Sequence, residues 1–206
     1  MAAAIVSLSM PAFGAVVYDN SNSATSQGVR KVTADSTVGD EITLAGTDRV
    51  ATAFDVTIYL SAGTSGNEGA LVKFYANDGS FGKPGSLLYT SDPISLSSGQ
   101  SSYAIDLTTV LNGPLVLPDT FTWAVSFSGL SGGEEAGLYH YSGPSVGSSA
   151  ADHWADTGAG WDLLNTGPGF SDNFAAKVQA VPEPTTLALL GVGAAGLFMA
   201  ARRRKA

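Results

Sequence analysis

Few residues in this chain have the types and spacing that catalysis, metal binding or ligand binding requires. Gly143 to Gly147 form a G-x-S-x-G pattern around Ser145, and Asp152 and His153 follow in the order of a serine-hydrolase triad. That pattern works on a sharp turn between a strand and a helix, and an Asp directly beside the His cannot easily orient it. The pattern therefore does not predict a hydrolase.

Other catalytic and metal-binding arrangements are equally poorly supported. Glu134 and Glu135 are adjacent in a Gly-rich loop, and nothing marks them as an acid and a nucleophile on either side of a sugar bond. The chain has two His residues, His140 and His153, and no Cys, so a structural zinc site lacks its usual ligands. We expect a protein that is not an enzyme and that has no metal centre and no cofactor.

The richest stretch for ligand binding is residues 137 to 162, where aromatic side chains stand among carboxylates. Aromatic rings stack on sugar faces while neighbouring carboxylates accept hydrogen bonds from hydroxyl groups. The alternative is that the rings belong to the core, with Trp154 closing one end of the fold. The candidate ligand surface consists of Tyr139, Tyr141, Trp154 and Trp161.

Two oxygen-rich loops are weak candidates for Ca²⁺. One contains Asp152 and Asp156, and the other contains Asn77 and Asp78. Carboxylate and amide oxygens suit this cation, but neither loop matches a full calcium-binding motif.

The elements that must position these side chains are strands. Phe54 to Leu60 and Phe121 to Phe127 alternate apolar and polar residues, with the period of two that buries one face of a sheet. About ten such segments, separated by Gly- and Pro-rich turns, predict an all-β, two-sheet antiparallel β-sandwich, jelly-roll-like, over residues 16 to 180. We expect its core to contain Phe54, Ile58, Trp123, Val125, Phe127 and Phe174.

The charge and the sulfur content of the chain indicate which partners and which cellular location suit this domain. Residues 1 to 180 contain 17 acidic and 6 basic side chains, a net charge of 6 − 17 = −11, which disfavours nucleic acid as a partner. All three Met lie at positions 1, 10 and 199, and Cys is absent. A domain without easily oxidised sulfur suits life outside the cell.

The N-terminus predicts export. An apolar run ends at Met10 and is followed by Pro11 and small residues up to Ala15, as in a secretory signal peptide over residues 1 to 15. No Lys or Arg precedes the run, so either the true start codon lies further upstream or the segment is a buried first strand. We expect cleavage near Ala15.

The C-terminus predicts membrane insertion. Pro182, Glu183 and Pro184 are followed by 17 uncharged residues from Thr185 to Ala201, and then by Arg202, Arg203, Arg204 and Lys205. At about 1.5 Å per residue a transmembrane helix over 185–201 reaches roughly 26 Å, and the basic side chains can snorkel to close the remaining gap. The positive-inside rule places the C-terminus in the cytoplasm. The alternatives are an ordinary single-pass anchor and a buried core helix.

This tripartite tail over residues 181 to 206 resembles the PEP-CTERM sorting signal of Gram-negative bacteria that make exopolysaccharide. The resemblance implies recognition by an exosortase, a membrane transpeptidase that cuts near the motif and releases or transfers the body. The protein would then be transiently anchored in the inner membrane and finally reach the cell surface or the medium.

A second resemblance concerns the body. Phe74 to Gly79 and Pro84 to Leu88 look like a hairpin of choice-of-anchor domains, bacterial surface β-sandwiches. We therefore expect a non-enzymatic exported surface or matrix protein, associated with exopolysaccharide in a biofilm. The alternative is an exported carbohydrate-binding or polysaccharide-active protein.

Overall fold

The computed structural model describes residues 14–63, 65–110, 113–165, 167 and 171–183, which are built almost entirely from strands. Regular structure besides strands consists of two short 3-10 turns, Ser23–Thr25 and Ser80–Gly82, in this part of the chain. The strands are β1 (Ala15–Asp19), β2 (Ser26–Val32), β3 (Thr37–Thr43), β4 (Val50–Leu60), β5 (Gly69–Ala76), β6 (Leu87–Thr90), β7 (Ile94–Ser95), β8 (Gly99–Asp106), β9 (Thr120–Ser128), β10 (Ala136–Tyr141), β11 (Ser148–Ser149), β12 (His153–Asp156), β13 (Trp161–Leu164), β14 (Asn173–Phe174) and β15 (Ala176–Val181).

The strands form two antiparallel sheets. Sheet I has seven strands in the order β1-β15-β4-β10-β14, with β2 paired to β10 and β8 paired to β4. Sheet II has eight strands in the order β13-β12-β3-β9-β5-β6, with β11 paired to β3 and β7 paired to β5. The chain crosses repeatedly between the sheets, and the first strand pairs with the last, Ala15 opposite Ala180. The predicted all-β, two-sheet antiparallel sandwich is confirmed.

The core lies between the two sheets and is rich in aromatic rings. Phe54 of β4 packs edge-on against Phe74 of β5 and Trp123 of β9, with ring centres 5.0 and 5.2 Å apart. Edge-to-face packing of this kind adds to the stabilisation that apolar burial supplies. The six residues predicted for the core are all at most 3% exposed: Phe54, Ile58, Trp123, Val125, Phe127 and Phe174.

Some strands do not show the alternation of apolar and polar residues in the sequence. β2 is a polar strand that pairs with β10 alone, so burial does not impose apolar alternation along it. β12 has four residues, too few for a clear period. Short and polar strands are held by their neighbours in the sheet more than by their own propensity.

Both predicted targeting segments fall mainly outside this description. Residues 1–13 of the predicted signal peptide and the predicted transmembrane helix over 185–201 are outside the described residues, as are Pro184 and the basic tail. Among the residues described, no helix has the length and apolar character needed to cross a membrane.

Candidate functional site

The Pro-Glu-Pro motif begins directly after the last strand of the β-sandwich. β15 lies between β1 and β4, and its last residue, Val181, pairs with Val50. Pro182 has no backbone N–H and cannot extend the hydrogen-bonded ladder, so the strand ends there. Pro182 and Glu183 follow at once, both partly exposed. The motif is therefore joined to the folded body without an intervening spacer.

The four aromatic residues predicted as one ligand surface are separated by the fold. Tyr139 lies on the outer face of sheet I, whereas Trp161 lies on β13 at the edge of sheet II, with its ring 5.3 Å from that of Tyr75. Tyr141 is 1% and Trp154 6% exposed. The two buried rings belong to the packing, and the remaining two are on different sheets, so the four do not form a common surface.

Trp154 lies within sheet II, where β12 stands between β13 and β3, and it pairs with Gly39 on β3. Its indole also lies beside the partly buried Glu41. The interpretation of Trp154 as a packing residue is the one that the structure favours.

The G-x-S-x-G segment forms a turn that leads into β11 and not into a helix. Both the backbone N–H and the hydroxyl of Ser145 donate to the carbonyl oxygen of Asp19, at 2.7 and 3.2 Å. His153 faces Asp172, at 2.9 Å between Nδ1 and Oδ2, rather than its neighbour Asp152. The geometry thus gives Ser145 a role in holding the turn.

The adjacent glutamates also hold loops. Glu134 accepts hydrogen bonds from the backbone of Ser65 at 2.7 Å and of Ser131 at 2.9 Å. Glu135 forms an ion pair with Lys31, with 2.7 Å between Oε2 and Nζ. Their carboxylates point to different partners and do not face each other across a cleft.

Sequence reasoning missed a buried polar cluster between the sheets. Both histidines of the chain approach one fully buried carboxylate: His153 Nδ1 lies 2.9 Å from Asp172 Oδ2, and His140 Nδ1 lies 3.5 Å from Asp172 Oδ1. His140 comes from β10 of sheet I and His153 from β12 of sheet II, so Asp172 joins the two sheets. Burial lowers the pKa of His153, and the hydrogen bond to Asp172 opposes that shift.

A second buried carboxylate lies on β3. Asp40 accepts hydrogen bonds from the hydroxyl of Ser149 at 2.7 Å and from the backbone N–H of Phe174 at 3.0 Å. Burial raises the pKa of Asp40 well above its ordinary range, and these two hydrogen bonds oppose the shift. Asp40, on β3, thereby links β14 of sheet I to β3 and β11 of sheet II. The spacing of these polar residues in the sequence gives no sign of the cluster.

The buried imidazole predicts a pH dependence of stability. A histidine whose pKa is lower in the folded than in the unfolded state binds its proton preferentially after unfolding. Stability from His153 is therefore complete above its ordinary pKa of about 6.5 and decreases as the pH falls below it, by at most about 1.4 kcal/mol per pH unit.

The matched variant is His153→Asn, whose amide nitrogen lies near the position of Nδ1 but does not titrate in this range. Chemical denaturation between pH 8 and pH 5 should give a steeper loss of stability for the wild type than for the variant. Asp40 contributes equally to both proteins and cancels in the comparison. Parallel curves would contradict the assignment.

In the two loops suggested for Ca²⁺, carboxylate oxygens accept hydrogen bonds from nearby residues of the protein. Asp156 accepts from the backbone of Gly158 at 2.7 Å and of Gly160 at 3.1 Å. Asp78 accepts from the backbone and the hydroxyl of Ser86, both at 2.7 Å, and these hydrogen bonds lower its pKa. Among the described residues, no group of three or more His, Cys, Asp or Glu side chains is arranged to hold a metal ion.

An open cleft lies where the edges of the two sheets face each other. It has a volume of about 420 Å³ and is bounded by β6 and by the end of β8, with Asp92, Asp106 and Tyr89 in its lining. Asp106 accepts from the backbone and hydroxyl of Thr108 at 2.8 and 2.6 Å, and these bonds lower its pKa. A carboxylate that is held ionised in this way is a poor general acid.

The fold and the tail together define an exported β-sandwich protein that carries its own C-terminal sorting sequence. Residues 180–205 match the PEP-CTERM protein-sorting motif, which implies recognition by an exosortase, association with the membrane during sorting and export toward the cell surface. The resemblance of the tail is thus confirmed. Neither the curated proteins nor the solved structures contain a match to this chain.

Proposed function

We propose that this protein is a non-catalytic component of the extracellular polymer layer, delivered by exosortase processing. The observation that carries the proposal is the direct junction between the last strand, which ends at Val181, and the sorting motif that begins at Pro182. Cleavage at this junction would release a folded body without a flexible remnant. The body would then reach the cell surface or the surrounding matrix of a Gram-negative bacterium.

In the proposed order of events, the N-terminal segment directs export and the helix over 185–201 holds the chain in the inner membrane. Its basic tail, Arg202 to Lys205, stays in the cytoplasm. Exosortase then cuts near the motif. Mass spectrometry of the mature protein from its native host tests this order, because the two observed termini should lie near Ala15 and near Pro182. A mature form that still contains Ala201 would overturn it.

The composition of the body supports a role outside the cell. Residues 16 to 180 contain no Cys and no Met, and the chain up to residue 180 carries a net charge of 6 − 17 = −11. An acidic protein and an acidic polysaccharide repel each other, so we propose that divalent cations bridge or screen the two.

This proposal predicts an effect of cation removal. Treating intact cells with a chelator should release a larger fraction of the protein into the medium, and restoring Ca²⁺ should reverse the release. Fractionation and immunoblotting measure the effect, and raising NaCl without a chelator separates specific bridging from general screening. Retention that is unaffected by the chelator would contradict bridging by divalent cations.

The competing possibility is a polysaccharide-active enzyme, and the cleft lined by Asp92 and Asp106 is where such activity would reside. Glycoside hydrolysis needs one carboxyl group to donate a proton while another acts as nucleophile or base. Hydrolysis of a polysaccharide that is lost on Asp92→Asn or Asp106→Asn would replace our proposal by that activity.

A further inference from the structure

Two partly exposed tyrosines stand side by side on the outer face of sheet I. Tyr59 comes from β4 and Tyr139 from β10, and their sequence neighbours Ile58 and Leu138 are at most 1% exposed and point into the core. Since successive side chains of a strand point to opposite faces, both tyrosines point outward. Their ring centres are 6.5 Å apart, with 80° between the ring planes. The core does not require this pair.

A shallow depression adjoins the tyrosine pair. Its volume is about 270 Å³, and Asp55, Thr57, Ser102 and Lys177 are among the side chains that line it. The hydroxyl groups of Thr57 and Ser102 lie 3.2 Å apart. Thr57 is two residues before Tyr59 on the same strand face, so the rings and the polar depression form one continuous surface.

Charges on this surface occur as opposite pairs. Lys31 Nζ lies 2.7 Å from Glu135 Oε2 and 5.1 Å from the centre of the Tyr59 ring. Asp55 and Lys177 stand directly opposite each other on β4 and β15. Asp19 on β1 also pairs with Lys177, from the strand on its other side. The surface therefore combines two positive groups with three negative ones, in a chain that is strongly acidic up to residue 180. A polyanion or a polycation gains little from such a surface.

We infer that this outer face of sheet I binds a neutral, hydroxyl-rich polysaccharide of the polymer layer, separately from the cation-dependent contact with acidic polysaccharide. The inference rests on the proposed function. The tyrosine rings offer apolar area and hydroxyl groups to the C–H faces of sugar rings. In the adjoining depression, the carboxylate of Asp55 can accept hydrogen bonds from sugar hydroxyls. Lys177 and the hydroxyls of Thr57 and Ser102 can donate to them. The slight excess of carboxylates on this surface disfavours an acidic chain and leaves a neutral one as the polymer that fits.

The test is native affinity electrophoresis of the full chain, kept in solution by a non-glycosidic detergent because a sugar headgroup would compete. The gels contain dextran, hydroxyethylcellulose or alginate, which represent two neutral polymers and one acidic polymer. Tyr59→Ala combined with Tyr139→Ala should weaken retardation by the retained neutral polymer about tenfold or more. Ser102→Trp, which fills the depression and leaves both rings in place, should weaken it similarly.

The matched control is Tyr75→Ala combined with Trp161→Ala, which removes the other partly exposed aromatic pair, on sheet II, and should leave binding unchanged. Thermal unfolding of every variant shows that the fold survives. Loss of binding in the sheet II variant with retention in the sheet I variants overturns this inference but preserves association with polysaccharide. Binding to alginate alone also overturns it. Absence of wild-type binding to every polymer, alginate with Ca²⁺ in the gel included, refutes the polysaccharide association itself.

Discussion

Replacing Pro182, Glu183 and Pro184 with Ala should abolish processing while export continues. The motif follows the last strand directly, and proline disfavours continuation of the predicted helix over 185–201 toward the sandwich. The variant should accumulate as an uncleaved form in the membrane fraction. Immunoblotting of membrane and medium, together with the mass of the C-terminal fragment, measures the change.

The control for this experiment is Thr185→Ala combined with Thr186→Ala, which alters the residues beside the motif and leaves the motif itself intact. This control should be processed like the wild type. If the triple variant is still cut at the wild-type position, exosortase recognition of the motif is refuted and a simple membrane anchor explains the tail better.

Trp123→Ala should reduce the free energy of unfolding by about 3 to 5 kcal/mol, which is a large part of the stability of a domain of this size. Trp123 is fully buried and contacts Phe54 of the opposite sheet and Phe174, with ring centres 5.2 and 6.2 Å away. Its removal leaves a cavity between the sheets that two rigid sheets cannot close. Urea denaturation followed by far-ultraviolet circular dichroism measures the loss.

The same substitution at Trp161 provides the comparison. Trp161 is partly exposed on the short strand β13, and its ring contacts Tyr75 alone among the aromatic contacts of the described residues. We expect a loss of about 1 kcal/mol. Equal losses at the two positions would show that the contact between the sheets at Trp123 is not the main determinant of stability.

Strand alternation made the sandwich predictable, because burial of one face imposes a period of two on strands such as β4 and β9. The sorting tail was predictable for a different reason, since its motif is read as linear sequence. The predicted ligand surface was not confirmed as a unit. Proximity in sequence does not show which sheet a strand joins, and Tyr139 and Trp161 ended on different sheets.

The buried cluster was unpredictable for a related reason. Asp172 contacts His140 and His153 only because strands from opposite sheets come together next to β14. The spacing of these three residues in the sequence does not predict that contact. The outer-face partner of Tyr139 is Tyr59, which the alternation of β4 already placed on the polar face. The alternation could not show that β10 is a neighbour of β4, because the 75 residues from 61 to 135 separate the two strands in the chain.

The position of β15 has a consequence for the timing of folding during export. This last strand is inserted between the first strand, β1, and the long strand β4, so sheet I stays incomplete until residues 176 to 181 have left the translocation channel. A chain exported from its N-terminus therefore keeps an open edge on β4 throughout transit and closes it only as the sorting motif arrives outside. Completion of the sandwich and presentation of the cleavage motif thus become nearly simultaneous events.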